Sequence, residues 1–84
     1  MLLHIVSVKD TAAQAFGRPL FVPAVAVALR SFRDEVNRKD SADDLSRHPD
    51  DFELYEVGVF DDATGIIDVF EPRLVARAKD LKES

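Results

Sequence analysis

The sequence contains no cysteine, so neither a disulfide nor a thiolate metal site can help to hold it. That absence fits a reducing compartment. Histidine occurs only twice, which argues against a histidine-rich metal cluster. Glycine occurs three times, and Gly17 is the only one before Gly58. A phosphate cradle needs several glycines so that backbone N–H groups can converge. Phe16-Gly17-Arg18-Pro19 therefore reads as a tight turn with Phe16 packed inward rather than as a nucleotide loop. Positive charge is in deficit: 11 Lys and Arg against 16 Asp and Glu give a net charge of −5. The pI is about 4.8, which counts against bulk binding of a polyanion while leaving room for a local basic patch. No apolar run approaches the ~20 residues that a membrane helix needs. Leu2-Leu3-His4-Ile5-Val6 follows Met1 without a basic segment, so no signal peptide is expected and the chain should be mature and soluble.

What is present fits one domain, residues 1–84. A chain this short buries only about 60% of the surface its unfolded form exposes, and oligomerisation is a natural way to bury more. Leu2 to Val8 reads as a first strand, apolar on both faces and so expected to be covered on two sides. Thr11 to Val22 reads as a connection punctuated by Gly17 and Pro19. Its Phe16 and Phe21 are expected to anchor on the core or on another subunit. Pro23 to Asn37 carries the strongest helical pattern. Val25, Leu29, Phe32 and Val36 share one face, Pro23 suits the first turn and Asn37 a stop.

The next segment, Arg38 to Asp51, is polar. Within it Ser41-Ala42-Asp43-Asp44 is a candidate cap for one turn running to Arg47, ended by His48-Pro49. Phe52 to Phe60 reads as a second strand, and Asp61-Asp62-Ala63-Thr64-Gly65 as a turn closing on Gly65 with positive φ. Ile66 to Glu71 would return as a third strand. Pro72 would break it, and Arg73 to Lys82 would form a short amphipathic helix with Leu74, Val75, Ala78 and Leu81. The expected fold is thus α+β: a three-stranded sheet under one main helix in β-α-β-β-α order, like a truncated ferredoxin-like unit with a right-handed crossover. Its open edge and apolar second face would suit a homodimer.

Candidate sites divide the same residues two ways. Arg30, Arg33, Arg38 and Lys39, with Lys9 and Arg18, hold much of the positive charge. Flanked by Phe16, Phe21 and Phe32, they form the best signal for phosphate neutralisation with base stacking. The interleaved Asp34, Glu35 and Asp40 fit equally a salt-bridged, solvated helix face, and Phe32 fits the core. Asp40, Asp43, Asp44, Asp50 and Asp51 lack the alternation and central glycine of a calcium loop, as do Asp61 and Asp62, so these carboxylates read as turn and cap groups. His48 beside Asp50 has no partner that would make an acid–base site, and reads as part of a turn and cap. His4, in a strand, reads as packed or as a pH-sensitive interface residue. No catalytic residue, cofactor site or metal site emerges, and an enzyme is not expected.

Four phrases carry a resemblance. They are Ser7-Val8-Lys9-Asp10 leading to Ala15-Phe16-Gly17-Arg18-Pro19, Ser31-Phe32-Arg33-Asp34-Glu35-Val36-Asn37, His48-Pro49-Asp50-Asp51-Phe52, and Asp61-Asp62-Ala63-Thr64-Gly65. In order and spacing the chain resembles the small non-structural proteins of microviruses, the single-stranded DNA phages, above all the gokushovirus branch. The resemblance spans about residues 7–65 and adds nothing from Pro72 onward. It implies a non-enzymatic accessory of single-stranded DNA synthesis and packaging in the cytoplasm of the infected bacterium. DNA contact would fall to Arg18, Arg30, Arg33 and Arg38, with Phe16 stacking, and the chain would act as a homo-oligomer, a dimer first. The rival expectation is an adaptor that contacts the replication initiator or host replication proteins without touching DNA, which the acidic balance favours. An internal capsid component would be strongly basic, and this chain is not.

Overall fold

The computed structural model describes residues 1–39 and 44–83. Its framework is one pairing. Strand β1 (Leu2–Asp10) lies antiparallel to β4 (Phe52–Asp61) along its whole length. On its other side β1 is flanked by two short strands, β2 (Ala15–Phe16) beside Lys9 and Asp10, and β3 (Leu20–Val22) beside His4, Ile5 and Val6. The long strand β5 (Ile66–Arg77) pairs with β4 and forms the far edge. All pairs are antiparallel. Helix α1 (Val25–Val36) and the single turns α2 (Asp44–Arg47) and α3 (Ala78–Leu81) cover part of one face.

The three-stranded α+β sheet expected from the sequence is therefore corrected to a mostly β fold, a curled antiparallel sheet of five strands with short helices. β1 and β4 are antiparallel neighbours, so there is no crossover and no ferredoxin-like unit. The supposed connection at Thr11 to Val22 folds back along β1 instead. Asp10 Oδ1 accepts the N–H groups of Ala12 and Ala13, and Gln14 takes a φ of 55° to reverse the chain. The expected C-terminal helix is mostly strand. Pro72 lies in the stretch Phe70–Pro72, which faces no register partner, so its missing N–H removes no ladder bond. Val75 is an extra residue between the pairs Leu54–Ala76 and Tyr55–Leu74. That bulge leaves Val75 on the core side next to Ala76, the partner of the buried Leu54, so two adjacent residues share a face and the sequence imitates a helical period.

The hairpin turn forms where expected, and the main helix forms with a later start: Ala24 is its N-cap, so Pro23 precedes the helix instead of standing in its first turn. Ala28, Phe32 and Val36 of α1 are buried against Val6, Leu54 and Ala78, and Val8, Val22, Leu45 and Phe52 surround them. The helix ends at Asn37, whose Nδ2 donates to the carbonyls of Arg33 (3.0 Å) and Leu81 (2.9 Å). Lys82 Nζ donates to the carbonyls of Val36 (2.9 Å) and Ser46 (3.2 Å), joining α1, α2 and the end of α3. The Lys82 bond satisfies the Val36 carbonyl, which the helix itself leaves open, while the Arg33 carbonyl also accepts the Asn37 backbone N–H. Asp44 opens α2, while the capping expected of Ser41 lies outside the described residues. His48 flanks a 3-10 turn at Pro49–Asp51 without a side-chain cap. The β4–β5 turn closes with Gly65 N–H donating to Asp61 O at 2.8 Å, and Gly65 has a φ of 75°.

The molecule is long for its size, 43 × 23 × 19 Å, with a radius of gyration of 13.3 Å. The reason is that the helices cover only the β1 C-terminal half. The β4–β5 hairpin, with the start of β1, extends beyond them as a wing, and β3 stands at its base, where Val22 still packs on the core. Inside it, Val57 is the extra residue between the pairs Ile5–Gly58 and Val6–Glu56, and Gly58 permits the bend. A Cβ on Gly58 would sit 2.6 Å from the Asp68 carbonyl oxygen. Gly58→Ala should thus lower stability by about 1–3 kcal/mol, the usual cost of overpacking. A denaturant midpoint equal to wild type would contradict this close approach of β4 and β5.

Candidate functional site

Strand alternation gives the sheet two faces with different chemistry. The face under the helices carries Val6, Val8, Phe52 and Leu54. Between it and α1 lies an apolar cleft of about 180 Å³ reaching from Leu54 to Leu20. Beyond the helices the same face carries His4, whose Nδ1 lies 2.8 Å from Glu56 Oε2. Among the described residues no helix packs on the opposite, outer face. Register places Lys9, Glu53 and Arg77 side by side there, then Ser7, Tyr55 and a residue of β5, Leu74.

The polar end of this outer face is the most organised side-chain constellation on the surface. Phe16, opposite Lys9 in the register, packs edge-on against Tyr55 with ring centroids 5.4 Å apart at 65°. The Lys9 ammonium stands 5.5 Å from the Phe16 centroid, within cation–π range. Tyr55 Oη donates to Glu53 Oε1 at 2.8 Å, and Arg77 Nε meets the other Glu53 oxygen at 3.4 Å. Gly17 fixes the neighbouring turn: its N–H donates to Val8 O, and its carbonyl accepts Ser7 Oγ, both at 2.8 Å. Phe16 remains 43% exposed. The arrangement offers an aromatic edge and ring beside a cation, with Phe16 open to solvent. That can stack an unpaired base and neutralise a phosphate.

The residues singled out in the sequence do not all meet here. Phe16 belongs to this platform, and Arg18 follows it on the exposed link to β3. Phe16 and Phe21 anchor on the outer face of the sheet rather than in the core. Arg30 and Arg33 lie one turn apart on the exposed side of α1, across the sheet from Phe16, and neither has an ion-pair partner among the described residues. Arg38 is engaged by Glu35 at 3.3 Å. Phe32 is core. Tyr55, Lys9 and Arg77 complete the platform. Their signal in the sequence is the alternation of Ser7 with Lys9 and of Glu53 with Tyr55, readable only once the register is known.

Asp61 Oδ1 accepts Ala63 N–H at 2.9 Å, so this carboxylate serves its turn. Asp40 and Asp43 lie outside the described residues. Among the described residues no group of His, Asp or Glu is placed to hold a metal ion, and no helix is long and apolar enough to cross a membrane.

Comparison with known proteins places the chain. The family model described as phage ORF5 protein matches residues 3–81. Protein ORF5 of Chlamydia phage 1 is 34% identical over 67 residues, which cover 77% of this chain and 70% of that relative. No solved structure matches the chain.

Tyr55 provides a check on the platform. The hydrogen bond to Glu53 raises its phenol pKa above the usual value, with desolvation and the Glu53 charge acting in the same direction and Arg77 opposing. A folded-state pKa above the unfolded value of about 10 means that the neutral phenol stabilises the fold. That contribution is full below about pH 10 and is lost as pH rises through the folded pKa. Ultraviolet titration should show a phenolate appearing later in the folded than in the unfolded chain. Glu53→Gln should move it back toward the unfolded value, and an unmoved midpoint would remove the Tyr55–Glu53 bond.

Proposed function

The chain belongs to the phage ORF5 family of microvirus proteins, and from that premise we propose that it is a non-enzymatic accessory of single-stranded genome synthesis and packaging that binds single-stranded DNA across the outer face of its sheet. The observation that carries this reading is the exposed Phe16–Tyr55 pair beside Lys9 on the sheet face where, among the described residues, no helix packs. A π-face accepts any unpaired base, so such a platform holds single strands with little sequence preference, whereas a duplex hides its base faces. Lys9 and Arg18 would neutralise phosphates. Arg77 would contribute by exchanging its Glu53 partner for a phosphate oxygen. In this reading the protein works in the cytoplasm of the infected bacterium.

The helix arginines Arg30 and Arg33 form a separate cationic spot on the other layer. A strand tracking Phe16 would not reach them directly, so they serve as the internal comparison. The acidic balance of −5 favours a second reading, an adaptor for the phage replication initiator or host replication proteins.

Fluorescence anisotropy of a labelled single-stranded oligonucleotide, at low and moderate salt and with duplex as control, separates these readings. Saturable binding that prefers the single strand and weakens with salt is expected. Phe16→Ala should weaken it roughly 5- to 150-fold, the equivalent of about 1–3 kcal/mol per stacked base. Lys9→Ala should flatten the salt dependence. Arg30→Ala with Arg33→Ala should leave affinity near wild type. If those helix substitutions abolish binding and Phe16→Ala does not, the sheet face is the wrong surface. No binding at low salt would move the function to the adaptor reading, tested next by pull-down with the replication initiator.

A further inference from the structure

The outer face continues past the platform onto the wing, and there its chemistry changes. Register sets Leu3 beside Phe60 and Ile67, and the next row sets Ile5 beside Gly58 and Val69, with Phe21 on the far side of Ile5. Phe21 and Phe60 meet edge-on with centroids 5.8 Å apart. These rows contain no charged side chain. Phe21 is 50% exposed, Ile67 52% and Val69 79%. Apolar side chains in such numbers, contiguous and without interruption by charge, are unusual on a monomer surface.

The amount of exposed surface points the same way. A compact monomer of 9.4 kDa exposes about 5,000 Å². This chain exposes 5663 Å², an excess of roughly 650 Å², close to the ~800 Å² that each partner contributes to a standard interface. The radius of gyration of 13.3 Å likewise exceeds the ~12 Å expected for a compact domain of this length. Both excesses fit the projection of the β4–β5 hairpin beyond the helices.

We propose that the outer face of the wing, built on Phe21, Phe60, Ile67 and Val69, is the contact surface for a second copy of this chain. A patch uniform in chemistry is self-complementary, which is what a two-fold dimer requires. A two-fold axis through the wing lays one wing over the other and directs the two Lys9–Phe16 ends in opposite directions. An uncharged patch offers nothing to phosphates, so the wing and the platform serve different partners on one sheet. The dimer is measured without DNA and does not depend on the DNA-binding reading.

Sedimentation equilibrium across a wide concentration series tests it. The full chain should show a mass twice 9.4 kDa that dissociates on dilution and persists at high salt. Val69→Asp places a charge where the side chain is already open to water in the monomer, so the fold should survive, as circular dichroism would show. The dimer dissociation constant should rise at least about tenfold. Ile67→Asp should do the same from the neighbouring row. Val27→Asp, on the exposed side of α1, should leave the dimer intact. A wild-type chain that stays monomeric up to its solubility limit overturns the proposal. So does a dimer that withstands both wing substitutions, or one that Val27→Asp disrupts instead.

Discussion

Everything in this molecule hangs from the continuous antiparallel ladder between β1 and β4. Neither strand is an edge: β1 pairs with three strands and β4 with two. β1 holds β3 and β2 in turn along its outer side, while β4 holds β5. The side chains that α1 buries, Val6 and Leu54, sit on these two strands. The platform residues Lys9, Ser7, Glu53 and Tyr55 are the same strands' alternate positions. Core and surface site are therefore the two sides of one register, and a slip by one residue would exchange them.

The separation of charge follows from that geometry. An acidic chain keeps its carboxylates busy locally. Asp10 and Asp61 tie down turns, Glu35 engages Arg38, and Glu53 is shared between Tyr55 and Arg77. What remains open on the outer face is the Lys9 ammonium over Phe16 at one end and an uncharged apolar wing at the other. Net charge, an average over the whole surface, conceals such a division. At close range a partner meets the local arrangement, because screening limits the reach of the remaining charges to about 8–10 Å.

The parts of this fold that were legible in the sequence are those with local causes. The α1 helix announces itself through Val25, Leu29, Phe32 and Val36, and the hairpin turn through Asp61 and Gly65. Phe16 was visible as an aromatic out of place in a loop. Partners lie beyond the reach of local signals. Nothing near Ala15 or Leu20 states that these residues pair with β1, since each strand is too short to show an alternation. Val57 in β4 and Val75 in β5 each interrupt a period of two with one extra residue, and β5 also carries the unpaired stretch Phe70–Pro72, so it reads as a broken strand followed by a helix. For the same reason Tyr55 could be placed on a face of its strand, but not beside Phe16. That contact joins residues 39 positions apart through β1, on which neither of them lies.

The bulge at Val57 is also a counting device. It adds one residue to β4 at the point where the helix-covered half of the sheet gives way to the wing, and so bends the strand there. Beyond it, the turn at residues 61–65 can gain or lose length at little cost, because it closes on itself. Removing Val57 would keep every pair, because Gly58 would then follow Glu56 directly, but it would erase the local bend; a residue gained or lost elsewhere in the strand would turn Phe60 and the rest of the hairpin over. Related chains should therefore vary in length at the hairpin tip and, between Tyr55 and Phe60, keep their spacing or lose only the bulge residue. That spacing, more than the identity of any residue within it, would mark the inherited shape.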